Sequence, residues 1–162
     1  MGHLKIPPEK RKSCVFPVAD KIIPFSGKRT STLYLLNPGE RCVERVHVDG
    51  CVITDAEVVR CDWAAEVDDD VSREEIFIEL KGAHVEKAVG QIEETIRRLS
   101  SDPAHAKKIC LIASPRSLTS REMKKQKLRF RKQYSAVFEK LKDGGSYKLD
   151  AREQDHAHSP VG

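Results

Sequence analysis

Glu75-Ile76-Phe77-Ile78-Glu79-Leu80-Lys81 is followed, after Gly82-Ala83-His84, by the run from Val85 to Leu99, and this junction decides the fold. In the first run side chains alternate with period two. A strand there puts Ile76, Ile78 and Leu80 on one face and Phe77, Glu79 and Lys81 on the other. In the second run Val85, Ala88, Val89, Ile92, Ile96 and Leu99 follow helical spacing, and Pro103 stops the continuation. Glu93 to Arg97 and Glu94 to Arg98 are favourable i,i+4 pairs for the wet side of that helix.

Downstream, Ile109-Cys110-Leu111-Ile112-Ala113 reads as a buried strand, and Ser120 caps a strongly basic helix over 121–133. Residues 136–141 extend that helix or form a final strand, and Gly144-Gly145 ends either one. Upstream, Leu33-Tyr34-Leu35-Leu36 stops at Asn37-Pro38-Gly39. Val46-His47-Val48 leads through Asp49-Gly50 into Cys51-Val52-Ile53, the pattern of a tight hairpin. Residues 58–64 read as a further strand, closed by a solvated turn at Asp68-Asp69-Asp70. Residues 1–30, rich in Pro, Lys and Arg, read as an arm with at most one short strand. Residues 31–150 read as the folded domain and 151–162 as a polar, mobile tail. The order implies an α/β or α+β sheet with helices packed on it.

The chain has 162 residues, 39% of them hydrophobic and 33% charged, which suits one foldable domain and excludes a disordered chain. No stretch approaches the ~20 apolar residues of a membrane span, and no apolar segment follows the basic N-terminus, so membrane and secretory readings drop out. The five cysteines, at 14, 42, 51, 61 and 110, include no Cys-x-x-Cys pair. They read as buried free thiols of a cytoplasmic protein rather than as a disulfide framework or zinc site. Gly27-Lys28 is no phosphate loop, because Ile22 and Arg29 stand where that motif needs Gly and Ser or Thr.

Chemistry concentrates at Asp62 and Glu79-Leu80-Lys81. A strand holds Glu79 and Lys81 on one face about 6.5–7 Å apart. If the preceding strand is its neighbour, Asp62 projects beside them. Two carboxylates suit Mg²⁺, and an ammonium group beside bound water orients that water or stabilises developing phosphate charge. A second Glu-x-Lys, Glu122-Met123-Lys124, falls on a helix where the two side chains diverge, and no acidic strand precedes it.

Cys61-Asp62-Trp63, then Phe77-Ile78-Glu79-Leu80-Lys81-Gly82, then a helix bearing Gln91, resembles the PD-(D/E)XK nuclease superfamily over about residues 43–113. The resemblance implies a restriction-endonuclease-like core: an α/β fold with a mixed central sheet flanked by helices. It implies that Asp62, Glu79 and the backbone carbonyl of Leu80 hold Mg²⁺, with Mn²⁺ able to substitute, and that Lys81 positions or activates the attacking water. Cys61 stands where the family has its nominal proline, and Glu44 is the nearest match to its upstream helical Glu. In exonuclease-like members a Gln on this helix sits near the site with a Tyr four residues later, where this chain has Thr95. Gln91 is accordingly a catalytic-site expectation. His84 reads as a helix-start residue rather than a ligand.

Between Arg121 and Lys132 seven of twelve residues are Lys or Arg against one Glu, far above the net +4 of the chain. Lys124, Lys125, Lys127, Arg129, Arg131 and Lys132 are the expected phosphate contacts, while Phe130 and Tyr134 seat the helix on the sheet. The expected partner is DNA, with RNA less favoured, and a homodimer or a targeting protein can complete the assembly. The expected function is Mg²⁺-dependent hydrolysis of DNA. The alternative is a non-catalytic nucleic-acid-binding or protein-interaction module on the same fold.

Overall fold

A computed structural model describes residues 3–27, 31–68, 72–80 and 84–150. A 3₁₀ turn at Pro8–Lys10 runs into the short helix α1 (Arg11–Cys14). Then come β1 (Val15–Val18), β2 (Ile22–Ser26), β3 (Thr32–Leu36), β4 (Val43–His47), β5 (Trp63–Asp68) and β6 (Arg73–Glu79). The chain continues through α2 (Val85–Leu99), β7 (Lys108–Ala113), α3 (Ser120–Tyr134), β8 (Ala136–Leu141) and β9 (Ser146–Lys148). Six strands form a sheet in the order β1-β4-β5-β6-β7-β8, and β2-β3-β9 form a second sheet. β1, β4, β5 and β6 pair antiparallel, whereas β6, β7 and β8 pair parallel, so the α/β class with a mixed central sheet is what the molecule has.

The strand and helix of the deciding junction stand where the periodicity puts them. Ile76, Ile78 and Leu80 enter one apolar cluster with Ile23, Phe25, Leu33 and Leu35 of the small sheet. Phe77 enters another with Ala88, Val89, Ile92 and Ile96 of α2 and Phe130 of α3. Both long helices therefore cover one face of the central sheet, and a sheet rather than a helix covers the other. The parallel step from β6 to β7 needs a crossover, which α2 supplies.

α3 begins at Ser120, the residue expected to cap it, and its cap is Thr119. Thr119 accepts from the Glu122 amide at 3.2 Å while the Glu122 carboxylate accepts from the Thr119 amide at 3.2 Å, a reciprocal capping box. Ser135, left-handed at φ 54°, ends the helix and turns the chain into β8. Residues 136–141 are thus the strand, as the alternation of buried Ala136 and Phe138 with exposed Val137 requires. The wet side of α2 is also paired differently: Glu94 meets Arg97 and Arg98, while Glu93 binds Arg129 and Tyr134 of α3 instead of Arg97.

Several expectations are corrected. The first thirty residues carry two strands, β1 pairing with β4 and β2 with β3, because Ile23 and Phe25 alternate inward onto the small sheet's core. Asp49-Gly50 does not open a hairpin of two strands. Gly50 takes φ 81° inside a tight turn over residues 48–53, and β4 pairs with β1 and β5 instead. The strand expected at 58–64 runs from Trp63 to Asp68. After Gly144 (φ 79°) the chain adds β9 parallel to β3, a strand too short to give a periodic signal. Cys14 and Cys51 form a disulfide across 37 residues, against the expectation of free thiols throughout. Cys42, Cys61 and Cys110 are free. The disulfide and Lys10, whose ammonium donates to the carbonyls of Cys51 and Val52 (3.1 and 2.9 Å), fasten α1 to that turn. Residues 151–162 lie outside the described residues. Among the described residues no helix is long and apolar enough to cross a membrane.

Candidate active site at the end of β5 and β6

Asp62 and Glu79 meet where the antiparallel β5–β6 ladder ends. One step beyond the Trp63–Ile78 register, the Asp62 amide donates to the Ile78 carbonyl at 3.2 Å and to Glu79 Oε1 at 3.1 Å. The Leu80 amide donates to Asp62 Oδ2 at 2.7 Å. Each carboxylate is thus held by the backbone of the other's strand, and the two side chains face one another. Glu79 is only 7% exposed. Burial, then the neighbouring Asp62 charge and the hydrogen bond between the carboxyls, push its pKa up to about 9, against the opposing pull of the Asp62 amide. Burial and the facing Asp62 carboxylate thus favour the protonated form of Glu79.

Two features fix the strand that carries Asp62. From α2, Gln91 Nε2 donates to the Arg60 carbonyl at 3.0 Å. The buried Thr95 hydroxyl accepts from the Cys61 amide and donates to the Gln91 carbonyl, both at 2.8 Å. Gln91 therefore positions the residues before Asp62, and its amide is spent on backbone rather than brought to the carboxylates. Thr95 is a residue that sequence reasoning misses as part of the site; its signal is a hydroxyl one turn after Gln91, beside the apolar stripe. From the other side, the Val48 and Asp49 amides donate to the Asp62 carbonyl (3.1 and 3.3 Å). The Asp49 carboxylate pairs with Arg60 at 2.9 Å, and Arg60 also donates to the carbonyls of Asp55 (2.7 Å) and Val58 (2.9 Å). Asp49 and Arg60 belong to no motif that marks them for the site, and sequence reasoning misses them too.

The remaining expectations divide. Lys81 lies outside the described residues. Leu80 stands beside Glu79 with its side chain buried in the opposite core. Glu44 is not on a helix: it sits on β4 opposite Glu66, three residues down the strand from the His47–Trp63 register, and does not join Asp62. His84 is the exposed N-cap position of α2. On α3, Lys124, Lys125, Arg131 and Lys132 are exposed, but Lys127 pairs with Glu139 at 3.1 Å, and Arg129 is half-buried against Glu93. Phe130 is fully buried and the Tyr134 hydroxyl donates to Glu93, so both aromatics seat the helix. Because β6 and β7 run parallel, with Glu79 level with Ile112, the N-terminus of α3 lies at the Asp62–Glu79 end of the sheet.

Among the described residues no three His, Cys, Asp or Glu side chains group closely enough to hold a metal ion by themselves. Two carboxylates completed by water still fit Mg²⁺, which takes few protein ligands and keeps its hydration shell. Beside Asp62 opens a pocket of about 250 Å³ lined by Ser26, Gly27, His47, Asp49, Asp62 and Trp63. Compared with family models, with curated proteins and with solved structures, the chain matches none.

Proposed function

We propose that this protein is a Mg²⁺-dependent nuclease that hydrolyses phosphodiester bonds of DNA, as its resemblance to the PD-(D/E)XK superfamily implies. The observation that carries the reading is the Asp62–Glu79 pair. Two carboxylates are pressed together at a strand end, one of them buried, and a backbone amide of each strand holds the carboxylate of the other. Like charges held this close repel, and a bound cation offsets that repulsion. When bound, Mg²⁺ supplies Lewis-acid activation of the phosphodiester and lowers the pKa of its water.

The chain's own residues divide the rest of the work. The Leu80 amide fixes Asp62, and Gln91 and Thr95 brace the strand before it. Lys81, next along the chain, is assigned to the attacking water. Lys124, Lys125, Arg131 and Lys132 hold phosphates of the bound strand without reading bases. This reading includes a cytoplasmic setting, where cellular thiols would act on the Cys14–Cys51 disulfide.

Conversion of supercoiled plasmid to nicked circles in Mg²⁺, with loss in EDTA, is the direct test. Salt-sensitive retention of DNA without cleavage would instead select the non-catalytic binding module, a reading that the exposed cations of α3 favour.

A further inference from the structure

The pocket beside Asp62 contains an imidazole whose hydrogen-bonding capacity the fold leaves unused. His47 closes β4, and among the described residues its ring nitrogens have no hydrogen-bond partner. Its orientation is nevertheless fixed. The ring stacks on Trp63 with centroids 4.8 Å apart and planes 26° apart. Trp63 is held in turn by its indole N–H donating to the Ser26 carbonyl at 2.9 Å, by Phe25 edge-on at 5.5 Å, and by the Arg45 guanidinium 5.9 Å over its ring. A half-buried polar group held this firmly ordinarily finds a partner inside the protein.

We propose that His47 donates a hydrogen bond to a nonbridging phosphate oxygen of the bound strand, and that the pocket receives one nucleotide's sugar and phosphate next to the scissile bond. The proposal rests on the nuclease reading and specifies how its substrate is held. Three observations support it. The end of β4 that carries His47 is hydrogen-bonded through the Val48 and Asp49 amides to the carbonyl of Asp62, so imidazole and carboxylate share one wall. At about 250 Å³ the pocket falls below the range of whole-ligand cavities and suits a fragment of a longer substrate. Its anionic members are Asp62 and Asp49, and a divalent cation held by Asp62 would give the phosphate an opposite charge to meet there. The hydrogen bond from His47 should therefore exist only in the metal-loaded complex, unlike the long-range attraction of α3.

The test measures binding of a short labelled single-stranded DNA in Ca²⁺, in place of Mg²⁺ to slow cleavage, and again in EDTA. His47→Phe keeps an aromatic ring on Trp63 but removes the donor. His47→Gln keeps a donor but gives up the ring. We expect His47→Phe to weaken binding in Ca²⁺ about tenfold, the scale of one hydrogen bond to a charged oxygen, with no change in EDTA. His47→Gln should recover most of the loss, and both variants should melt cooperatively. Trp63 is the only tryptophan of the chain, so its emission should change when wild-type protein binds DNA in Ca²⁺ and stay unchanged in EDTA. Wild-type affinity of His47→Phe in Ca²⁺, an equal loss in EDTA, or silent Trp63 emission overturns the proposal. Absence of plasmid cleavage together with a Ca²⁺-dependent loss in His47→Phe defeats the nuclease reading but supports this phosphate site.

Discussion

Strand β6 carries two buried glutamates on the same face, four residues apart, and each meets an acidic neighbour across the ladder from β5. Glu75 stands opposite Glu66, and one step past the last β5–β6 pair Glu79 meets Asp62. The two ends differ in what surrounds them. Glu75 accepts from the Ser100 hydroxyl at 2.6 Å and from the amide and hydroxyl of Ser101 at 2.8 and 2.7 Å. Its β7 partner in register is Lys108, whose ammonium donates to the carbonyls of Asp102 and Tyr134 at 2.9 and 3.0 Å and feels the Glu75 charge. Glu66 has His3 at 3.4 Å and Arg73 at 3.5 Å. Glu79 has the apolar Ile112 as its β7 partner. One end of the sheet is an internally neutralised charge cluster. The other is a pair of facing carboxylates whose closeness and burial favour uptake of a proton or a cation, which is why function is assigned there.

The largest expected effect breaks this symmetry through activity. Asp62→Asn or Glu79→Gln should lower Mg²⁺-dependent nicking by about three orders of magnitude, because each removes charge needed to hold the ion. Glu75→Gln should leave the cleavage rate of folded protein near wild type. Plasmid nicking at matched concentrations of folded protein checks both. Equal losses in Glu75→Gln and Glu79→Gln would mean that both glutamates are structural.

Stability should show the reverse order. Glu75→Ala strands the Ser100 and Ser101 donors and removes the carboxylate charge that favours the Lys108 ammonium, so denaturant unfolding should lose about 2–4 kcal/mol. Glu79→Gln should cost little or stabilise the metal-free protein. An unchanged unfolding midpoint for Glu75→Ala would remove the contrast between the two ends.

A smaller effect is a pH dependence with a definite sign. The folded-state pKa of Glu79, about 9, lies above its ordinary value of 4.5, so between those values the native state holds a proton that the unfolded chain has lost. That contribution to stability is complete below about pH 4.5 and disappears as pH rises through about 9. Metal-free protein should therefore melt at falling temperature from about pH 6 to about pH 9, and Glu79→Gln should flatten the decline. Mg²⁺, which binds the deprotonated pair, should raise the melting temperature more at about pH 8.5 than at about pH 6. Parallel melting curves for wild type and Glu79→Gln across this range would place the proton elsewhere.

Much of this contrast is legible in the sequence, and the missing parts have physical causes. The alternation of Ile76 to Leu80 and the helical spacing of Val85 to Leu99 each fix their own element, because burial on two faces or one stripe leaves a period in the chain. Asp62 and Glu79 are legible as a pair because adjacent antiparallel strands bring their ends together. Partners that depend on tertiary packing leave no periodic trace. Glu93 satisfies an i,i+4 rule with Arg97 yet binds Arg129 and Tyr134, because packing α3 against α2 places a fixed guanidinium and phenol closer. Cys14 and Cys51 pair across 37 residues, a separation that no short motif marks. Ser100 and Ser101 look like a helix terminus, and their service to Glu75 arises only when β6 and the end of α2 come together.

The smallest expected effect sorts the cations of α3 by whether the fold already uses them. Of the six expected to bind phosphate, Lys127 and Arg129 are engaged with Glu139 and Glu93. Lys124, Lys125, Arg131 and Lys132 carry no such pair among the described residues and can displace counterions from DNA. Neutralising Lys124 and Lys132 together should weaken binding to every duplex sequence alike. It should also reduce the slope of log affinity against log salt by roughly 0.9 for each phosphate no longer neutralised. Arg129→Gln should change that slope less and the melting temperature more, because it strips a half-buried carboxylate of its cation. Burial alone would raise the pKa of Glu93, and the hydrogen bonds from Arg129 and Tyr134 hold it below its usual range. Salt titrations of duplex binding in EDTA, which silence the Asp62–Glu79 site, isolate this effect. If Arg129→Gln flattened the slope as much as the Lys124 and Lys132 double variant, Glu93 would release its partner to the nucleic acid. The line between structural and binding charges that separates the two ends of β6 would then not extend to α3.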